Sequence, residues 1–410
     1  MKIALLLDRF PQLSETFILD QVTGLIDLAQ DVYIFALNRG DDATVHDEVN
    51  RYKLLQRTTY VEESRTRGFQ RGLSTLPPLL SYALRCPSGL QTLLTQRRAL
   101  AHGATLWRCL GLHQAIQRVA PDVLLCHYGT MGNTGVFLKL MGLPAKIATI
   151  FHGFDLSRHT VQGGLYEALR QHGDQFLPIS GFWRSALLEQ GFPAQHTCVH
   201  HVGINTAQFA FRKREITGER PLQLLTVGRL TQKKGHATTL RALARLKADG
   251  TSFTYHIAGD GVLRGNLERL AGQLGLADQV VFHGAVARQT AQELFDRADV
   301  FILSSLRADD GDMEGIPVVL MEALAVGLPV VSTVHSGIPE LVEHEVCGLL
   351  AEPGDSDRLY EAIVRLLKDP LGRRQMAQAG RKRVEQEFDR NVQNQRLLNL
   401  LEGLVQEQEG

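Results

Sequence analysis

At 410 residues the chain exceeds what one ordinary hydrophobic core organises, so two domains of roughly 200 residues and a cleft between them are expected. Hydrophobic residues at 44% and charged residues at 21% exclude a disordered chain, a fibre or a membrane bundle. Lysine and arginine number 44 against 44 aspartates and glutamates, and a formal net charge of +0 gives no global attraction to nucleic acid or membrane. The cysteines, Cys86, Cys109, Cys126, Cys198 and Cys347, are odd in number and form no C-x-x-C pair, which suits a reducing cytosol. Met1–Leu7 is apolar after Lys2 but stops at Asp8 and Arg9, too soon for an export signal. The run Ile316–Val331 contains Glu322 and Gly327 and falls short of the ~20 residues of a membrane span.

In chain order, short aliphatic or β-branched runs alternate with helical patterns, the signature of βαβ units and parallel sheets. Strands are predicted at Lys2–Leu7, Asp31–Leu37, Val123–Cys126, Lys146–Phe151, Gln175–Pro178 and Cys198–His201. A second set follows at Gln223–Val227, Thr254–Ala258, Val280–His283, Val300–Leu303, Val330–Ser332 and Gly348–Leu350, with amphipathic stretches such as Ala237–Asp249 between them. Phe211–Pro221 alternates in charge without a clear period and reads as the linker. The expected fold class is therefore α/β with two Rossmann-like domains, 1–210 and 211–385. The helical tail 386–410 is expected to pack back on the first domain through Phe388, Leu397, Leu401 and Leu404. The segment Ser64–Pro121 departs from this pattern. It carries Arg65, Arg67, Arg71, Arg85, Arg97, Arg98, Arg108 and Arg118 among leucines, with no acidic residue. Such a stretch suits either an anionic membrane surface or a solvated helix pair.

The chemistry concentrates in the second half. Glu314 and Glu322 are separated by seven residues, Gly-Ile-Pro-Val-Val-Leu-Met. Pro317 fits the first turn of a helix, which leaves Glu314 in the preceding loop. Gly315 and Ile316 then offer backbone amides at the positive end of that helix, an anion site suited to a diphosphate. Glu322, inside the helix among apolar residues, needs a partner such as a ribose diol. Val227-Gly-Arg-Leu-Thr-Gln-Lys-Lys-Gly235 follows a buried strand and aims Arg229 and Lys234 where open α/β sheets bind ligands. Gly228 allows close approach and Gly235 the turn into the next helix. Two cations there can neutralise a departing nucleoside diphosphate without a metal, whereas Lys233 reads as a surface cation. His152 follows another strand, with Asp155 placed to orient it. His200 and His201 have no obvious partners and read as structural. The acidic loop Asp309, Asp310, Asp312 reads as solvated or ordered by substrate, and no metal site is expected. Gly259–Gly265 falls short of the dinucleotide fingerprint.

The second half resembles the donor domain of the retaining glycosyltransferases of family four, the group 1 glycosyl transferases. The resemblance rests on GRL…KKG at Gly228–Gly235, HIAGDG at His256–Gly261, FHGAV at Phe282–Val286, ADVFILSS at Ala298–Ser305 and EGIPVVLMEALAVGLPVVST at Glu314–Thr333. In the first half, FPQLSETFI at Phe10–Ile18, HYG at His127–Gly129 and HGFD at His152–Asp155 resemble the colanic-acid and amylovoran type of exopolysaccharide enzymes.

The resemblance implies a GT-B fold, two facing Rossmann-like domains with a deep cleft, acceptor on the first and nucleotide sugar on the second. It implies that Arg229 and Lys234 hold the diphosphate, Glu322 the ribose, Glu314 the donor-sugar hydroxyls, and the amides of Gly315 and Ile316, ahead of Pro317, the sugar and distal phosphate. His152 would lie beside the anomeric carbon and the Val286 backbone against the base. Ser14, a possible helix cap, with Glu15, Thr16, His127 and Asp155, are candidates for acceptor or loop contacts. Two departures are visible: Gly203-Ile204-Asn205 replaces a common Gly-Val-Asp, and Gln12–Thr16 replaces paired glycines.

The activity so implied is retaining, metal-independent and cofactor-free hexosyl transfer from a UDP- or GDP-sugar to a saccharide acceptor, which is expected to be lipid-linked. The enzyme is expected in the cytoplasm, with peripheral membrane contact through Arg65–Arg118 as one reading of that segment and no nucleic-acid partner. A nucleotide-sugar epimerase of the same architecture would need no acceptor, and a non-catalytic nucleotide-sugar-binding subunit would not need the intact residue set.

Overall fold

The computed structural model describes residues 1–12, 15–40, 45–61, 106–157 and 164–407. The chain divides into two compact units. The first comprises Met1–Ile179, Trp183–His200 and Asn394–Gly410, the second Ser180–Phe182 and His201–Gln393. The crossings fall at 200/201 and 393/394, where the sequence suggests 210/211 and 385/386.

The first unit holds a six-stranded sheet in the order β3-β2-β1-β4-β5-β6, built from β1 Lys2–Phe10, β2 Asp31–Arg39, β3 Thr58–Tyr60, β4 Val123–His127, β5 Lys146–Phe151 and β6 Gln175–Pro178. All neighbouring pairs are parallel. The central strands are near-continuous apolar runs because both faces are covered: Ile3–Leu7 and Val123–Cys126 are almost fully buried. Cys198–His201 does not form the expected strand. Thr197 makes one isolated bridge to Phe176, and the Cys198 and His200 amides donate to Phe176 and Pro178 along the β6 edge.

The second unit repeats the same winding as β12-β11-β10-β7-β8-β9, again all parallel. Its strands are β7 Leu222–Val227, β8 Phe253–Ala258, β9 Val280–Gly284, β10 Val300–Ile302, β11 Val330–Thr333 and β12 Leu349–Ala351. In each sheet the strand order reverses beside the first strand, between β1 and β4 and between β7 and β10. Such a switch point opens a crevice at the carboxyl ends of the two strands.

Phe211–Pro221 is strapped to the second unit rather than left as a free linker. The Arg214 guanidinium donates to the carbonyls of Asp296 and Ala298, both at 2.7 Å, and Arg220 pairs with Asp299 at 2.7 Å. The tail forms helices Pro370–Glu387 and Arg390–Gln406. Asp369 caps the first by accepting the Gly372 amide, and Pro370 sits in its first turn. Within the first unit, Asn394 Nδ2 donates to the Asp20 carbonyl of helix Thr16–Asp27 at 3.2 Å. Leu397, Leu401 and Leu404 are buried, whereas Phe388, also buried, belongs to the second unit, where its ring lies 4.9 Å from that of His201. Among the described residues, no helix is long and apolar enough to cross a membrane.

Candidate active site

The loops leaving β7 and β10, the strands flanking the switch point of the second unit, are bound to each other. Gly228–Gly235 leaves β7 through a 3₁₀ turn, Gln232–Lys234, and ends on Gly235 at φ +67°. A Cβ on Gly235 would lie 1.8 Å from the Ser304 carbonyl oxygen, so both conformation and space demand glycine. Ser304 Oγ donates to the Gly235 carbonyl at 2.8 Å, and the Leu306 amide donates to the Lys233 carbonyl at 2.9 Å.

This anchoring fixes two lysines against two acids. Lys233 Nζ lies 3.1 Å from Asp312 Oδ1, 3.3 Å from the Met313 carbonyl and 3.7 Å from Glu314 Oε1. Lys234 Nζ lies 3.1 Å from Glu314 Oε2. Lys234 passes close to Gly228: a Cβ there would stand 3.4 Å from Lys234 Cε, an ordinary contact. Lys233 is therefore not a solvated surface cation, nor is Asp312 part of a solvated loop: they are 6% and 7% exposed and neutralise each other. Burial opposes ionisation of Glu314, but the two lysines outweigh it and hold the carboxyl below its ordinary range.

His335, which belongs to none of the motifs above, completes the group. Its Nε2 accepts the Glu314 amide at 3.3 Å, which requires that nitrogen to be unprotonated. Burial pushes the imidazole down to about 4, with Glu314 opposing and the lysines reinforcing the shift. The available signal was its position just past the carboxyl end of a buried strand, Val330–Thr333.

Helix Val318–Ala325 begins one residue later than expected. Pro317, with ψ 117°, takes the N-cap position rather than the first turn. Ile316, preceding proline, is biased to extended backbone, so Gly315 and Ile316 form a bend ahead of the helix. Among the described residues, the amides of Gly315, Ile316, Val318 and Val319 have no hydrogen-bond acceptor. They stand next to Glu314 at the positive end of the helix. Glu322 lies half-buried in the second turn, and Val286 half-buried in the loop after β9. Arg229 shares the lysine loop with its side chain exposed and its carbonyl 3.2 Å from His236 Nε2. Gly259 packs against that loop, where a Cβ would meet the Gly228 carbonyl at 1.9 Å, so this glycine serves loop packing.

In the first unit, the candidates cluster past β4 and β5. His127 Nδ1 and His152 Nε2 are 3.0 Å apart, and the His152 ring touches those of Phe17 and Tyr128, with centroids at 4.7 and 4.6 Å. Burial lowers both imidazoles, His127 to about 3, so both are neutral near pH 7. Asp155 does not orient the His152 ring. Its carboxylate accepts the backbone amides of Gly129 at 2.8 Å and His152 at 3.0 Å. The N-cap position of helix Thr16–Asp27 falls on Glu15, whose side chain accepts the Tyr128 hydroxyl at 2.9 Å instead of capping; Thr16 opens the helix. Ser14, the expected cap, lies outside the described residues, as do Arg65, Arg67, Arg71, Arg85, Arg97 and Arg98. His200 and His201 do have partners: Gln21 at 3.3 Å for the first and Glu340 at 3.0 Å for the second.

Two doubly wound α/β units, the second with cations and a helix amino end gathered at its switch point, are the architecture of the GT-B glycosyltransferases. The family model described as Glycosyl transferases group 1 matches residues 208–383. Over 98% of this chain and 100% of the relative, identity is 37% to the putative colanic acid biosynthesis glycosyltransferase WcaL of Salmonella typhimurium. It is 36% to the amylovoran biosynthesis glycosyltransferase AmsK of Erwinia amylovora, over 99% and 100%. The chain belongs to the group 1 glycosyltransferases. The crystal structure of Anabaena Alr3699/HepE in complex with UDP is similar in fold over 98% of this chain and 100% of that one, with a TM-score of 0.74 at 18% identity.

Proposed function

We propose that this enzyme is a retaining, metal-independent hexosyltransferase that moves a sugar from UDP or GDP to a hydroxyl of a lipid-linked saccharide during exopolysaccharide synthesis. The observation that carries the donor assignment is Lys234 on Glu314 beside the amides of Gly315 and Ile316, which have no acceptor among the described residues. The polymer assignment is supported by the names of the full-length relatives, which place them in colanic acid and amylovoran biosynthesis.

In this reading Lys234, Arg229 and the amides of Gly315 and Ile316 take up charge as the diphosphate departs, in place of a metal ion. Glu322 binds the ribose, the Val286 backbone meets the base, and Glu314 receives donor-sugar hydroxyls. Glu314 is held by two lysines with its carboxyl below the ordinary range, a poor candidate for a free nucleophile. That supports attack of the acceptor hydroxyl on the face the diphosphate leaves, with retention of configuration and transfer of the acceptor proton to the leaving phosphate. His152, which burial keeps neutral, is the first unit's candidate for contact with the reacting sugar. The reaction is assigned to the inner membrane face on the strength of the arginine-rich segment in the sequence.

Calorimetry with UDP and GDP in the presence of EDTA, followed by nuclear magnetic resonance of the product's anomeric centre, tests the reading. Micromolar binding without metal and a retained configuration are expected. Metal-dependent binding, inversion, or a new nucleotide sugar formed without acceptor would each overturn it.

A further inference from the structure

Tyr128 occupies backbone conformation that its residue type disfavours. At φ 72° and ψ 145° it is strained for any residue with a Cβ, and glycine would relieve it. Both sides of the residue are pinned: its amide donates to the Ile150 carbonyl at 2.8 Å, and its own carbonyl accepts the amides of Met131 and Gly132 at 3.0 Å. The following residue, Gly129, has no room for a side chain, since a Cβ would lie 2.6 Å from the Tyr166 ring, and Asp155 holds its amide.

What the strain secures is the direction of one side chain. The Tyr128 ring lies 4.6 Å from that of His152, tilted at 51°, and its hydroxyl donates to Glu15 Oε1 at 2.9 Å. Among the described residues, Oε2 of Glu15 has no partner, although the carboxyl is half-buried. Burial pushes that carboxyl up, against the Tyr128 hydrogen bond and with help from Asp8. An aromatic face beside a carboxylate oxygen that still lacks a donor is the chemistry that holds a pyranose: ring C–H groups against the π-face, a sugar hydroxyl donating to the carboxylate.

The geometry points to Tyr128 and Glu15 as a specificity pair that binds and orients the acceptor sugar, with Tyr128 fixing the carboxylate through its hydroxyl. The inference rests on the transferase reading above and adds the acceptor side to it. Tyr128 contributes through its hydroxyl, which fixes the Glu15 carboxylate.

Tyr128→Phe, Glu15→Gln and the double variant are compared with wild type, using octyl β-glucoside, octyl β-galactoside and octyl α-mannoside as acceptor probes and calorimetry with UDP and GDP as the donor control. Each single variant is expected to raise the KM for the octyl glycoside about tenfold, the double variant no further, and nucleotide affinity to stay at the wild-type value. A packing role alone would not separate acceptor KM from nucleotide affinity. Acceptor KM unchanged in both single variants, additive effects in the double variant, or no transfer to any octyl glycoside by wild type that binds nucleotide would overturn this inference alone. Wild type that binds neither UDP nor GDP would overturn the donor reading and this inference with it.

Discussion

Lys234 Nζ stands 3.1 Å from Glu314 Oε2 while Lys233 reaches the other oxygen at 3.7 Å, so one buried carboxylate joins the loops after β7 and β10. Removing one partner of a buried pair leaves an uncompensated charge and costs about 3–5 kcal/mol. Lys234→Ala should therefore lower both the melting temperature and kcat, the latter about 100-fold if the lysine also meets the leaving diphosphate. Arg229, exposed, offers the contrast: Arg229→Ala should lower kcat comparably with little change in melting. Transfer assays and thermal melts on both variants check this, and near-normal kcat in Lys234→Ala would refute the assignment.

Gly235→Ala is expected to be the more severe of two matched glycine substitutions. At φ +67° an alanine carries about 1–2 kcal/mol of backbone strain, and its Cβ would press on the Ser304 carbonyl from 1.8 Å. Gly265, near the start of helix Arg264–Gln273, has nothing within 4 Å of the place an added methyl would take, so Gly265→Ala should be neutral or stabilising by up to about 1 kcal/mol. Denaturant titration of the two variants reads the difference directly. Equal stability would mean the loop is free to relax.

His335 should make the fold acid-sensitive. Its folded-state value of about 4 lies below the ordinary 6.5, so the unfolded chain takes up the proton first as pH falls. The corresponding stability is complete above pH 6.5 and is lost between 6.5 and 4, up to about 3 kcal/mol. His335→Gln keeps an acceptor for the Glu314 amide and removes this titration. Denaturation at about pH 7.5 and about pH 4.5, on either side of most of that window, should show a smaller loss in the variant. His236 and His127, lowered to about 4 and about 3, retain their own acid dependence in both proteins. Identical losses would exclude His335 as a contributor.

How far the sequence discloses the molecule depends on how local each determinant is. The strands buried on both faces, such as Leu5 in β1 and Leu124 in β4, are legible because sheet burial imposes apolar runs. Thr58–Tyr60 is not, being a three-residue edge strand with no apolar run. Lys234 and Glu314 stand out through glycine and proline punctuation around them. Lys233 looks solvated because its burial is decided by Asp312, 79 positions away. His335 follows a buried strand just as His152 does, so the same positional rule marks it. Nothing in HYG discloses the positive φ at Tyr128, because that conformation is imposed by Ile150 and the helix beyond it.

Asp155 should show the opposite pH dependence from His335. The side chain is 2% exposed, and burial raises its carboxyl from 3.8 to about 6 despite the amides of Gly129 and His152 that it accepts. A folded value above the unfolded one means that the associated stability is complete below about 3.8 and disappears as pH rises through about 6. The shift corresponds to about 3 kcal/mol. Asp155→Asn resembles the protonated side chain: one oxygen still accepts an amide and the other position becomes a donor. Relative to wild type, the variant should therefore gain up to about 3 kcal/mol between about pH 4 and about pH 7, whatever its offset at the lower pH. That offset, set where the wild-type carboxyl is protonated, is the same at both pH values because asparagine does not titrate. Paired denaturation curves at the two pH values separate the contributions, and a difference between the proteins that does not change with pH would show that Asp155 is ionised throughout, its two amide bonds outweighing its burial.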